Sequence, residues 1–198
     1  MLDDLARFNK ARWEELAQAG VPYSIPMLDL TPESARQFLD EHGVMGDMAG
    51  KDVLCLAGGG GQQSAAFALL GARVTVLDLC ETQLSRDRDG AAHYGMAVRT
   101  IQGDMRDLSC FEEGMFDLVW HGHSLAFVPD AGQVFDQVVR VLRPGGLYFV
   151  HCWNPFSQGA AEMRWDGRGY VVDIPYGVRE VPPEDPYWDI EDPEGRKH

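Results

Sequence analysis

At 198 residues the chain is long enough for one domain with a full core and leaves little room for a second. Its 45% hydrophobic and 24% charged content is that of an ordinary globular protein, and no apolar run approaches the ~20 residues of a membrane helix. A formal charge of −14 speaks against a nucleic-acid partner, because neutralising phosphates takes clustered Lys and Arg; it mildly favours a cationic cofactor or substrate, and its plainer role is to keep the protein in solution.

The N-terminal run MLDDLARFNKARW lacks the apolar centre of a signal peptide, so a cytoplasmic protein that does not enter membranes is expected. Cys55, Cys80, Cys110 and Cys152 form no Cys-x-x-Cys pair. They read as buried small hydrophobes, with no disulfide framework and no metal site.

Residues 2–19 predict an amphipathic helix, with Leu2, Leu5, Phe8, Trp13 and Leu16 largely on one face and Gly20 as its stop. Trp13 is expected in the core. Pro22 and Pro26 forbid a helix over the next stretch and predict an extended crossing. Thr31-Pro32-Glu33 combines a capping hydroxyl, a proline at the first helical position and an acid in the first turn, predicting a helix to about His42. Residues 1–45 are thus a helical preface.

From Lys51 the texture alternates. Strands are predicted at 52–56, 73–77, 98–102, 116–120 and 147–152, with helices at 62–70, 81–94 and 130–142 between most of them. In the last helix Val134, Phe135, Val138, Val139 and Leu142 are placed on the inner side, and Pro144-Gly145-Gly146 ends it. Short β-branched strands separated by helices predict a doubly wound, mainly parallel Rossmann-like sheet over residues 46–152. The tail, 153–198, is rich in proline and aromatics and reads as irregular cover for the substrate side. Its weak strand candidates lie near Tyr170–Ile174 and Trp188–Ile190.

In such a sheet the ligand lies beyond the carboxyl ends of the strands, near the point where strand order reverses. Polar or glycine-rich residues stand at four successive ends: Gly58 to Gly61, Asp78, Asp104, and His121 with His123. Glycines let backbone approach a ligand without a Cβ in the way. Asp78 suits both hydroxyls of a ribose, or equally a helix N-cap. Asp104 suits an exocyclic adenine amine, with the Met105 N–H offered to a ring nitrogen, or equally an Asx-turn.

Several stretches resemble the class I S-adenosylmethionine-dependent methyltransferases, especially small-molecule-type members. AGGGG (57–61) stands at the family's glycine loop and VTVLDL (74–79) at its ribose-binding acid. QGDMRDLS (102–109) stands at the adenine-side turn, FDLVWHGHSLAFVPD (116–130) at the fourth-strand motif, and VLRPGGLYFV (141–150) at the entry to the fifth strand. The resemblance implies S-adenosylmethionine as cofactor, S-adenosylhomocysteine as product and a small-molecule acceptor. The cofactor-binding residues would be Ala57, Gly58, Gly59, Gly61, Gln62, Gln63, Asp78, Leu79, Asp104, Met105 and His121.

His123 is the candidate general base if the acceptor must lose a proton, and packing at a strand end is its plainer role. Its spacing from His121 is that of a metal pair, but no third ligand stands nearby. Tyr23 and Trp153 are candidates for contact with substrate. Two other readings stay open: a cofactor-binding module without catalysis, and a nicotinamide-dependent oxidoreductase.

The chain departs from the family in three places. Cys55 replaces the acid usual two positions before the first glycine of the loop, and that glycine is Ala57. The resemblance implies that this acid helps to organise the methionine end of the cofactor, so Gln62, Gln63 or the N-terminal segment would take over the task. The strand pair that usually follows the fifth strand has no convincing counterpart, which suggests a chain cut short, since an uncovered fifth strand is an aggregation-prone edge.

Overall fold

The computed structural model of the protein describes residues 2–152, 164–171 and 191–196. Helix α1 (Asp4–Ala19) is capped by the Asp3 carboxylate, which accepts from the Ala6 N–H, and closed by Gly20 in the left-handed conformation (φ 73°). Its buried side is Ala6, Leu16 and Ala17, while Leu5 and Phe8 face solvent. The expected extended crossing contains one 3-10 turn, Pro22–Ser24. Helix α2 (Pro32–Leu39) starts at the Thr31 cap and stops short of His42, because the Asp40 carboxylate accepts the N–H groups of Val44 and Met45 and turns the chain.

Strands β1 (Asp52–Leu56), β2 (Arg73–Asp78), β3 (Arg99–Gln102), β4 (Phe116–Gly122) and β5 (Leu142–His151) form one parallel sheet in the order β3-β2-β1-β4-β5. They are connected through α3 (Gln63–Leu69), α4 (Glu81–His93) and α5 (Ala131–Val141), except between β3 and β4. Alternation along β1 divides the core. Val53 and Cys55 pack with Ala35, Phe67 and Leu84 of α2, α3 and α4, whereas Leu54 and Leu56 pack with Val134, Val138 and Val141 of α5. Helices thus cover both faces, as strands with two buried faces require.

The α5 stripe is narrower than the sequence suggests: Phe135 and Val139 are exposed, because a helical step of 100° carries them out of the row 134, 138, 141. Residues 143–146 bulge at the start of β5, where the register with β4 jumps from Phe116↔Leu142 to Leu118↔Leu147. At this end of the sheet Asp52 accepts from Arg73 and Arg143, which hold its carboxyl at about 2 despite partial burial.

Among the described residues, β5 ends the strand order of the sheet, and a separate short antiparallel couple joins β6 (Arg164–Trp165) and β7 (Tyr170–Val171). The strand candidate near Trp188–Ile190 lies outside the described residues, as does most of the tail. Cys55 and Cys80 are buried, but Cys110 and Cys152 are exposed, since one sits in a surface turn and the other follows the last residue of β5. No helix among the described residues is long and apolar enough to cross a membrane.

Candidate functional site

The sheet order reverses between β1 and β4, so the chain leaves these neighbouring strands toward opposite faces and opens a crevice at their carboxyl ends. A cavity of about 710 Å³ lies there. The loop after β1, the end of β2, the turn after β3 and the segment after β4 each line it, and α1 closes it from the fourth side with Ala6, Asn9 and Trp13. Those three are spaced as one helical stripe. Trp13 therefore faces the cavity instead of the core, with its ring edge-on to Phe127 at 5.6 Å. Asn9 Nδ2 donates to the Phe127 carbonyl at 2.9 Å, tying α1 to the segment after β4.

The glycine loop is shaped by close approaches. Gly59, Gly60 and Gly61 have φ of 72°, 92° and 95°. A Cβ on Gly60 would stand 2.3 Å from Gln83 Oε1 and 2.8 Å from the Ser24 carbonyl, and one on Gly61 would stand 2.6 Å from the Arg86 carbonyl. Only glycine fits such contacts at such angles. Ala57 is also left-handed, φ 52°, an unfavourable conformation for a residue with a Cβ. Ala57, Gly59, Gln62 and Gln63 line the cavity, while Gly58 lies below, where its Cβ would meet Val76 Cγ1 at 2.7 Å. Gln62 Nε2 donates to the carbonyls of Pro22 (3.3 Å) and Ile25 (3.1 Å), so it fastens the crossing segment and brings Tyr23 to the cavity.

Asp78 ends β2 and lines the cavity, 9% exposed. Burial pushes its carboxyl up to about 6, aided by the nearby charge of Glu14 and opposed by N–H groups of Cys80, Gly59 and Leu79. It is thus mostly ionised at neutral pH and able to accept hydrogen bonds. Asp104 and Met105 also line the cavity, but the Asp104 carboxylate is shared with Arg106, whose guanidinium pairs with it at 2.6 Å and with Asp3 at 2.7 Å. This chain ties the start of α1 to the turn after β3. Asp104 Oδ1 also accepts from the Arg106 backbone N–H at 2.9 Å, closing an Asx-turn, and Arg106 Nε reaches both oxygens at 3.1 Å, so a further donor would share these acceptors with Arg106.

The two histidines after β4 differ. His121 is fully buried and does not line the cavity. Its Nδ1 meets Tyr148 Oη at 2.9 Å under the α5 face, and burial pushes its pKa down to about 4. The alternation of β4 turns its side chain away from the cavity, where the expected cofactor shelf would place it against the ligand. His123 does line the cavity, in the left-handed conformation (φ 54°), with its ring 4.0 Å from that of His151. Partial burial, then the neighbouring His151, lower its pKa, so it is neutral at pH 7. Trp153 lies outside the described residues. Among the described residues no cluster of three or more His, Cys, Asp or Glu is suited to a metal ion.

Sequence reasoning missed Gln83 and Ser124, which line the cavity. Gln83 Oε1, Gln63 Oε1 and Ser124 Oγ are buried without a hydrogen-bond partner among the described residues. Buried polar atoms are seldom left unpaired, so a cavity with three such atoms and a buried carboxylate calls for a ligand rich in donors. The signal for Gln83 was present: Gln83, Leu84, Asp87, Gly90 and Ala91 form the buried stripe of α4, and two of them are polar.

Comparison with known proteins agrees with this architecture. A family model described as a methyltransferase domain matches residues 54–150. The chain is 37% identical over 137 residues to the uncharacterized methyltransferase YbaJ of Bacillus subtilis (strain 168), covering 69% of this chain and 52% of that protein. It is 36% identical over 107 residues to the ubiquinone biosynthesis O-methyltransferase of Azotobacter vinelandii, covering 54% of this chain and 46% of that one. The chain thus spans about half the length of these curated relatives.

Among solved structures, the S-adenosylmethionine dependent methyltransferase of Mesorhizobium loti aligns with a TM-score of 0.58 at 27% identity, covering 74% of this chain and 66% of that one. The PH0226 protein of Pyrococcus horikoshii OT3 aligns with a TM-score of 0.56 at 27% identity, covering 72% and 68%. With a glycine loop at the reversal point of a five-stranded parallel sheet, and a match running from its first strand into its fifth, the chain carries a methyltransferase domain over residues 54–150 and shares the fold of the S-adenosylmethionine-dependent methyltransferases.

Proposed function

We propose that this chain transfers the methyl group of S-adenosylmethionine to a small-molecule acceptor. The observation that carries the reading is the cavity's polar lining: a buried carboxylate and three buried side-chain oxygens that have no hydrogen-bond partner among the described residues, in a chain of net charge −14. Such surroundings suit a ligand that brings hydroxyls, an ammonium and a second positive charge. When bound, the cofactor supplies a methyl group on a positively charged sulfur, already activated for in-line displacement.

The residues divide the work. Asp78 accepts from the ribose hydroxyls, and Asp104 with the Met105 N–H meets the adenine edge. Gln63 and Gln83 accept from the ammonium of the methionine end, and Ala57 and Gly59 present bare backbone to it. The wall formed by Trp13, Phe127 and Tyr23 excludes water and orients the acceptor, which can supply several kcal/mol of the barrier. His123, neutral at pH 7, takes a proton from the acceptor where the nucleophile carries one. The O-methyltransferase relatives favour a hydroxyl acceptor. In this arrangement residues 46–152 hold the cofactor and residues 1–45 cover it.

Titration calorimetry with S-adenosylmethionine, S-adenosylhomocysteine and NAD tests the reading. Binding of the first two and none of NAD is expected, and NAD binding without either nucleoside overturns it. A radiolabelled methyl assay on pooled metabolites separates an enzyme from a binding module, since binding without turnover on any pool favours the module.

A further inference from the structure

Asp87 is the one ionisable side chain of α4 buried beneath the glycine loop, with 0% exposure. Its Oδ1 accepts from Ser64 Oγ of α3, and a Cβ on Gly58 would stand 3.8 Å from the same oxygen. The Gly61 N–H also donates to the carboxylate. Its Oδ2 is buried with no partner among the described residues. The other groups that face it bring no countercharge: Cys55 of β1 is a fully buried thiol, and Asp78 at the end of β2 is itself an acid. Arg88 on the same helix acts on it only weakly and is ion-paired outward with Glu81 at 2.7 Å. A buried carboxylate without a countercharge is costly, and such groups stay protonated until a cation arrives.

Resting on the reading of the cavity given above, we propose that Asp87 is a positioning residue for the cofactor. Its carboxylate, delivered from α4 under the glycine loop, supplies the negative charge that β1 lacks at Cys55, and it ionises when the cationic cofactor binds. Ser64 and the Gly61 N–H aim one oxygen at the loop and leave the other to answer the incoming charge. Binding is then coupled to release of a proton. Burial, reinforced by the charge of Asp78, pushes the Asp87 carboxyl up to about 7, so the coupling falls at neutral pH.

Titration of the full chain with S-adenosylmethionine across pH 5.5 to 8, in pairs of buffers that differ in ionisation heat, reads both affinity and protons released. The wild type is expected to release roughly half a proton per cofactor at pH 7 and to bind more tightly as pH rises. Asp87→Asn should lose most of that release. It should bind at least about tenfold more weakly than wild type at pH 8, where the carboxylate is ionised, and nearly equally at pH 5.5, where both side chains are neutral. Ser64→Ala removes a donor to the ionised form, so it should move the midpoint of the pH profile upward without abolishing the profile. Equal affinity of Asp87→Asn and wild type at pH 8, or unchanged proton release, overturns the proposal while leaving the cofactor assignment standing. Failure of the wild type to bind S-adenosylmethionine at every pH overturns both.

Discussion

Replacing Asp87 by Asn should make the ligand-free protein more stable at pH 8, which is the reverse of what loss of a structural hydrogen bond does. The carboxyl stands at about 7 in the folded protein against 3.8 for a free aspartate. Between these values the unfolded chain has released its proton and the folded chain still holds it, so stability falls as pH rises through that window. The whole penalty is present above it, about 4 kcal/mol for a shift of roughly three units. Asn is neutral throughout and keeps an oxygen for Ser64 and the Gly61 N–H. Its amide nitrogen would stand where Oδ2 now has no partner among the described residues, at a cost of about 1–3 kcal/mol. The net gain is about 2 kcal/mol, or about 4–8 °C in melting temperature for a chain of 198 residues. Thermal melts by circular dichroism at pH 8 and pH 4.5 give the comparison. The advantage should be present at pH 8 and vanish or reverse at pH 4.5, where both side chains are uncharged. Saturating S-adenosylmethionine should narrow or invert the gap at pH 8, because the wild type binds it more tightly. A ligand-free variant that melts below wild type at pH 8 would show that the carboxylate fastens the fold, and the reasoning from its buried charge would be wrong.

Asp78→Ala should weaken S-adenosylmethionine binding by about 1.5–3 kcal/mol, because a charged acceptor in the cavity is lost, and an unchanged dissociation constant in calorimetry would refute its assignment to the ribose. Ala57→Gly should stabilise the ligand-free protein by about 1 kcal/mol, since it relieves a Cβ held at φ 52°, and the melt should rise by about 2–4 °C; no rise would mean that the loop relaxes elsewhere. Gly60→Ala places a Cβ 2.3 Å from Gln83 Oε1 and 2.8 Å from the Ser24 carbonyl, so it should reduce cofactor affinity at least about tenfold while the far-UV spectrum stays native. Wild-type affinity in that variant would show that the contact between the loop and Gln83 is dispensable.

The sheet was legible because its signals are local. Runs such as VLCL and VTVL, each bounded by a glycine turn and a helical period, predict strand and helix with no knowledge of what they touch. The strand-end residues Asp78 and Asp104 were legible for the same reason, since a parallel sheet sends every strand end to one edge. What failed depended on which way a side chain turns. His121 and His123 are two apart, yet one remains in the pleat under the α5 face while the other follows the chain out of the strand into a left-handed turn at the cavity. Trp13 reads as core by hydrophobicity, but the stripe Ala6, Asn9, Trp13 is the one α1 turns to the cavity.

Asp87 shows what a buried polar residue in an apolar stripe can signify. The stripe Gln83, Leu84, Asp87, Gly90, Ala91 is an inner face by its period, and a sequence without purpose for polar atoms there would carry hydrophobes. Gly90 explains its own place, because a Cβ there would stand 3.1 Å from the Gly61 carbonyl and hold the loop away from α4. The two polar members are explained by the same loop, with Gln83 beside Gly60 and Asp87 bonded to the Gly61 N–H. One helix therefore provides the clearance, an acceptor and a charge that the glycine loop needs, and the substitution of Cys55 for an acid in β1 is compensated across the fold from α4. Without the cofactor, that arrangement keeps acceptors that have no partner among the described residues and an acid that is only partly ionised at neutral pH, and a cationic cofactor relieves both penalties on arrival. Part of the affinity of the site is thus stored as instability of the unliganded loop, which is why the same substitution should strengthen the fold and weaken the binding.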